Sequence, residues 1–140
     1  LCQDIPMNVC VTAYNKSFEC TRIKELAKAF PDLSEHLLNI RGHIVDLWDP
    51  FKAGHYYVPA MGGSTSIKYV LPALWPGTPS LDYHNLDERC QNGGNAMTIF
   101  PQIKDMEPAE QAATRKALLA YCCLDTYAMV KVWERLKEQV

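Results

Sequence analysis

Tyr121 and Asp125 stand four residues apart in a stretch whose apolar residues recur with helical period. At 3.6 residues per turn, a phenol and a carboxylate at that spacing lie one turn apart on the same side of a helix. Leu118, Cys122, Met129, Val132, Leu136 and Val140 read as one apolar stripe, and Lys116, Glu134, Lys137 and Glu138 as the solvated side. The pair then falls inside or beside the face that packs. An ionised carboxylate there is costly unless a metal ion or a donor compensates it. The alternative is structural: Asp125 caps a helix restarting after a break, with Thr126 beside it.

A second polar group sits near the start of the chain. Val9 to Tyr14 is short, β-branched and nearly all apolar, which predicts a buried strand. Asn15-Lys16-Ser17-Phe18-Glu19 follows, and then a helical pattern through Ile23, Leu26, Ala27 and Phe30, stopped by Pro31. Open α/β folds place their chemistry at the carboxyl ends of strands, where Asn15 and Glu19 lie. A turn role for Asn15, and a dipole role for Glu19 in a first helical turn, remain open beside it.

The elements that must hold these residues can be read in outline. Asp32 and Ser34 start a second helix with Leu33, Leu37, Leu38 and Ile40 inward, ending near Gly42. Ile44 to Trp48 is a second short strand, closed by Pro50, and Asp46 is its one acidic residue. His55 to Pro59 reads as an edge segment or an extended loop. Gly62 to Lys68 is a flexible turn running into a capped helix, a natural anion site within reach of Lys68, although a serine there is more often a simple cap. It lacks the Gly-Lys-Ser/Thr ending of a P-loop. Trp75 to Cys90 is loop by its turn-residue density, Gly93 to Phe100 a short helix stopped by Pro101, and Glu107-Pro108 the start of the long last helix. The order is α/β in type, but two strands make a poor sheet.

Composition narrows the class. With 140 residues, 48% apolar and 21% charged, the chain suits a single soluble domain, residues 1–140. A net charge of −2 supplies no global basic field for coating nucleic acid. It leaves room for an acidic, metal-using site. No apolar run is long enough to span a bilayer. The six cysteines show neither Cys-x-x-Cys nor zinc spacing, and adjacent Cys122 and Cys123 read as helix packing. Reduced thiols in a cytoplasmic protein are expected.

These residues carry a resemblance. Asn15 to Glu19 is similar to the second motif of the DEDD superfamily of 3′-to-5′ exonucleases, Asn-x-x-Phe-Asp, with Glu in place of Asp. Tyr121-x-x-x-Asp125 is similar to the third motif of its tyrosine-type branch, and the two occur in the expected order. Tyr14 to Glu19, Val45 to Leu47, Gly63 to Pro72 and Leu118 to Val130 also resemble the bacterial domain-of-unknown-function family 2779, which is grouped with ribonuclease-H-like nucleases.

The resemblance implies a partial ribonuclease-H-like fold, helix-rich, with the leading strands missing. The superfamily's first motif, Asp-x-Glu, would lie before Val9 and is absent, so the chain is expected to be the C-terminal portion of an exonuclease-like domain from a larger protein. It further implies two Mg²⁺ or Mn²⁺ ions, Glu19 and Asp125 as ligands, and Tyr121 as the residue that orients or helps deprotonate the attacking water. Asn15 and Lys68 would contact substrate, which would be DNA or RNA. The fragment alone is expected to be inactive, and a homodimer through the exposed edge of the first strand is expected. A degenerate nuclease fold that binds nucleic acid or protein without catalysis is the competing reading, and a purely structural module the third.

Overall fold

The computed structural model describes residues 1–139; Val140, placed above on the apolar stripe, lies outside the described residues. The chain divides into two compact units, Leu1–Tyr57 and the remainder from Val58.

In the first unit, β1 (Val11–Ala13) leads through α1 (Ser17–Ala29) and α2 (Ser34–Gly42) to β2 (Ile44–Asp46), and α3 (Asp49–Lys52) follows. The two strands pair in parallel, Val11 with Ile44, Thr12 with Val45 and Ala13 with Asp46. A parallel pair needs a crossover, and the two helices supply it. The core is Ala13, Ile23, Ala27, Leu37, Ile40 and Ile44, with Cys2 and Ile5 from the leading segment packed against it. Leu26, Phe30, Leu33 and Leu38, expected inward, are instead largely exposed. Single residues at i and i+4 suffice to seat helices this short on so narrow a sheet, so the flanking apolar positions stay outside. Pro50 does not simply close a strand. It starts α3, where its missing N–H costs nothing.

The second unit is helical: α4 (Ile67–Leu74), α5 (Gly93–Ile99) and α6 (Pro108–Lys137), joined by short 3₁₀ turns. Pro101 does not stop the chain's coiling, because a 3₁₀ segment, Phe100–Asp105, runs on through it. Pro108 occupies the first turn of α6, with Glu110 in that turn and Arg135 and Lys137 in the last, each favourable to the helix dipole. α6 is continuous over 30 residues. Asp125 is therefore mid-helix, and the capping alternative falls.

The buried face of α6 is Thr114, Ala117, Leu124, Ala128 and Val132. This stripe is rotated from the one expected, and Cys122 and Cys123 are exposed. Packing against α4 fixes the rotation. The Trp75 indole donates to the Lys131 carbonyl at 3.2 Å, and Arg135 donates to the Leu74 carbonyl at 2.8 Å. Lys131 and Arg135, one turn apart, both lie over the Trp75 ring. Their long side chains cover the indole that a purely apolar stripe would have covered.

Candidate functional site

The strand–helix junction of the first unit is organised by Asp46. Its Oδ1 accepts the backbone N–H of Asn15 at 2.8 Å and of Trp48 at 3.0 Å, and its Oδ2 accepts that of Lys16 at 2.9 Å. A nearly buried carboxylate at the end of β2 thus satisfies three N–H groups of two chain segments. Asn15 takes a left-handed backbone, φ 65°, as short polar side chains tolerate. The Ser17 hydroxyl donates to Asn15 Oδ1 at 2.7 Å, which ties the turn to the first residue of α1. Glu19 follows in the first turn of α1, partly buried. Tyr14 packs on Phe51 with ring centroids 6.2 Å apart. Burial, and then the charge of Asp46, push its hydroxyl far above the ordinary tyrosine range.

In the second unit, Tyr121 and Asp125 lie together on the packed side of α6, both partly buried. The Tyr83 hydroxyl donates to Asp125 Oδ1 at 2.9 Å. The rings of Tyr83 and Tyr121 are 6.2 Å apart and tilted. Gly93, which opens α5, stands close to this group: a Cβ there would lie 3.4 Å from the Tyr121 hydroxyl. Burial first, then the Asp125 charge, raise the Tyr121 hydroxyl far above its usual range. The nearly buried Cys90 thiol is also pushed up, chiefly by burial, and Lys68 partly offsets the rise.

Tyr83 escaped the reading of the sequence. It sits on a 3₁₀ turn, Tyr83–Asn85, within the stretch read as loop, and is 1% exposed. The only signal was an aromatic residue amid polar turn formers. Lys68, in the first turn of α4, makes no hydrogen bond or ion pair among the described residues. Ser66 stands at the N-cap of that helix, but its side chain makes no capping bond.

Residues 1–66 match the family model of a domain of unknown function, DUF2779. That is just under half of the 140 residues. The match takes in the whole first unit, with Asn15, Glu19 and Asp46, and ends at Ser66, before Lys68 and the Tyr121–Asp125 pair. No curated protein and no solved structure matches the chain.

Asp125 and Glu19 have the oxygen chemistry that Mg²⁺ takes, one or two carboxylates completed by waters and phosphate oxygens. Among the described residues, however, no group of three His, Cys, Asp or Glu comes together. Glu19 belongs to the first unit and Asp125 to the second. No described helix is long and apolar enough to cross a membrane.

Proposed function

We propose that this chain belongs to the machinery of a metal-dependent 3′-to-5′ exonuclease-like phosphodiester hydrolase acting on DNA or RNA. The single observation that supports the reading is the juxtaposition of Tyr121 and Asp125 on the packed face of α6. Bound Mg²⁺ or Mn²⁺ would supply the charge that stabilises attacking and leaving oxygens of the phosphodiester. Asp125 and, in the first unit, Glu19 would each offer a carboxylate to such an ion.

Tyr121 stands one turn from Asp125, beside the carboxylate. A hydroxyl held neutral by burial and by a neighbouring carboxylate keeps its proton across the physiological range. In the proposed site it would orient or help deprotonate the attacking water. Asn15, whose N–H and side chain are both engaged in the turn, acts by fixing where α1 begins and hence where Glu19 points.

A second reading, a nucleic-acid- or protein-binding module without catalysis, is favoured by Tyr83. Its hydroxyl already occupies Oδ1 of Asp125, one of the two oxygens that a metal could use. Paramagnetic broadening separates the two. With sub-stoichiometric Mn²⁺, amide signals around Tyr121–Asp125 should broaden, and Asp125→Asn should abolish the broadening. An unbroadened Asp125 region overturns the catalytic reading and leaves the binding module.

A further inference from the structure

A cavity of about 350 Å³ opens beside Tyr83, lined by Ser66, Lys68, Tyr69, Tyr83, His84 and the amide pair Gln91 and Asn92. Its size is within the range of small-molecule sites, which combine apolar walls with a few convergent polar groups. We propose that it binds a small phosphorylated aromatic ligand, in chemical class a nucleoside monophosphate.

Two nitrogen groups serve the phosphate, the Lys68 ammonium and the His84 imidazole. The Lys68 ammonium has no partner among the described residues, although a charge held beside a buried thiol gains by acquiring one. His84 is oriented through Nδ1, which lies 2.8 Å from Asp82 Oδ1, and Asp82 also accepts the His84 backbone N–H at 2.9 Å. With Nδ1 so engaged, Nε2 is the nitrogen left for a ligand. The carboxylates touching the lining are both occupied, Asp82 by His84 and Asp125 by Tyr83, so neither confronts an incoming anion with unpaired lone pairs alone.

The remaining groups fit a planar base. Tyr69 is half-exposed, and a phenol face of this kind stacks on bases, while buried Tyr83 walls the cavity. Gln91 spends its amide N–H groups on the His84 and Leu86 carbonyls, 3.3 and 3.0 Å away, which leaves Oε1 as an acceptor. Asn92 spends Oδ1 on the Asn95 N–H at 2.9 Å, which leaves Nδ2 as a donor. An acceptor and a donor on adjacent residues complement the edge of a base, whose own donors and acceptors alternate. A phosphate alone would fill little of this volume and use none of these groups.

The site shares the Tyr83 ring with the Asp125 cluster but needs neither a metal nor hydrolysis, so it stands or falls separately from the nuclease reading. The test is an NMR titration of the whole chain in EDTA with AMP, adenosine and inorganic phosphate. AMP should shift the amides of Ser66–Tyr69 and Tyr83–Asn92, and bind roughly tenfold more tightly than either adenosine or phosphate, one charge-assisted contact being worth about that factor. Lys68→Ala, at a partly buried position outside the buried core, should remove most of that advantage, and Lys68→Arg should restore it. AMP shifts that are absent, that lie elsewhere, or that survive Lys68→Ala overturn the proposal. Phosphate binding as tightly as AMP overturns it too, by reducing the cavity to an anion site. A 5′-phosphorylated trinucleotide that shifts the same amides identifies a strand end as the source of the nucleotide, whereas AMP shifts alone identify the free nucleotide.

Discussion

The Tyr83 hydroxyl donates to Asp125 Oδ1 at 2.9 Å although 42 residues separate the two in the chain. It joins a loop with little regular structure to the middle of the longest helix, and it supplies the donor that a partly buried carboxylate requires. Tyr83→Phe should therefore lower stability by about 2 kcal/mol, the scale of a hydrogen bond to a charged group. Tyr127→Phe, at a half-exposed position on the same helix, should change little. Urea unfolding of the two variants against the parent chain checks it. Equal midpoints would mean that the Tyr83 bond contributes nothing net.

Asp46 should be the most sensitive polar position of the first unit. Asp46→Ala leaves the N–H groups of Asn15, Lys16 and Trp48 without their acceptor. A loss of about 3 kcal/mol or more is expected, since one unmet buried donor alone costs 1–3. Asp46→Asn keeps one acceptor oxygen and should lose less. Chemical denaturation gives the size, and amide exchange at residues 15 to 17 shows whether the junction opens first.

Alkaline pH should weaken the fold through Tyr14 and Tyr121. Both hydroxyls are held neutral in the folded chain, above the tyrosine value near ~10 that applies on unfolding. The unfolded state then releases protons first. The stabilisation is fully present below that pH, and is lost as the pH rises through it toward the higher folded values. Tyrosinate absorbance should lag for these two groups until the chain unfolds. Tyr14→Phe and Tyr121→Phe should each flatten the decline in stability.

Glu19→Gln and Asp125→Asn should each weaken Mn²⁺ binding. Unchanged affinity in either variant would remove that carboxylate from the candidate ligands. With only these two ligands, the 140-residue chain alone should not hydrolyse single-stranded DNA or RNA. Mn²⁺-dependent degradation lost on Asp125→Ala would refute that.

Association is expected through the open edge of β1. The strand pairs with β2 on one side, and the segment leading into it includes exposed Val9. An unpaired edge is a template for a second chain, and a two-fold dimer is the commonest closed arrangement. The Val11 N–H is bonded to the His43 carbonyl on the β2 side, so the donor on the open edge is that of Thr12, and light scattering should report a dimer that Thr12→Pro dissociates. A monomer at every concentration counts against it.

Short-range regularities were legible in the residues. The strand expected over Val9 to Tyr14, which forms over Val11–Ala13 alone, the helix after it, the first turn at Pro108 and the one-turn spacing of Tyr121 and Asp125 all follow from preferences acting over four residues or fewer. Asp46 also announced itself, as the acid in an apolar strand, but not its task. Its partners lie 30 and 31 residues back, and no local pattern encodes a hydrogen bond across a crossover. The buried face of α6 was misplaced for a related reason. Apolar periodicity assumes that apolar residues cover the core, whereas Lys131 and Arg135 cover Trp75 with their stems and charges. Tyr83 was invisible because a 3₁₀ turn has too few residues to show a period. Its contact with Asp125 exists only once α6 and the loop are packed, when burial of the carboxylate makes a donor necessary.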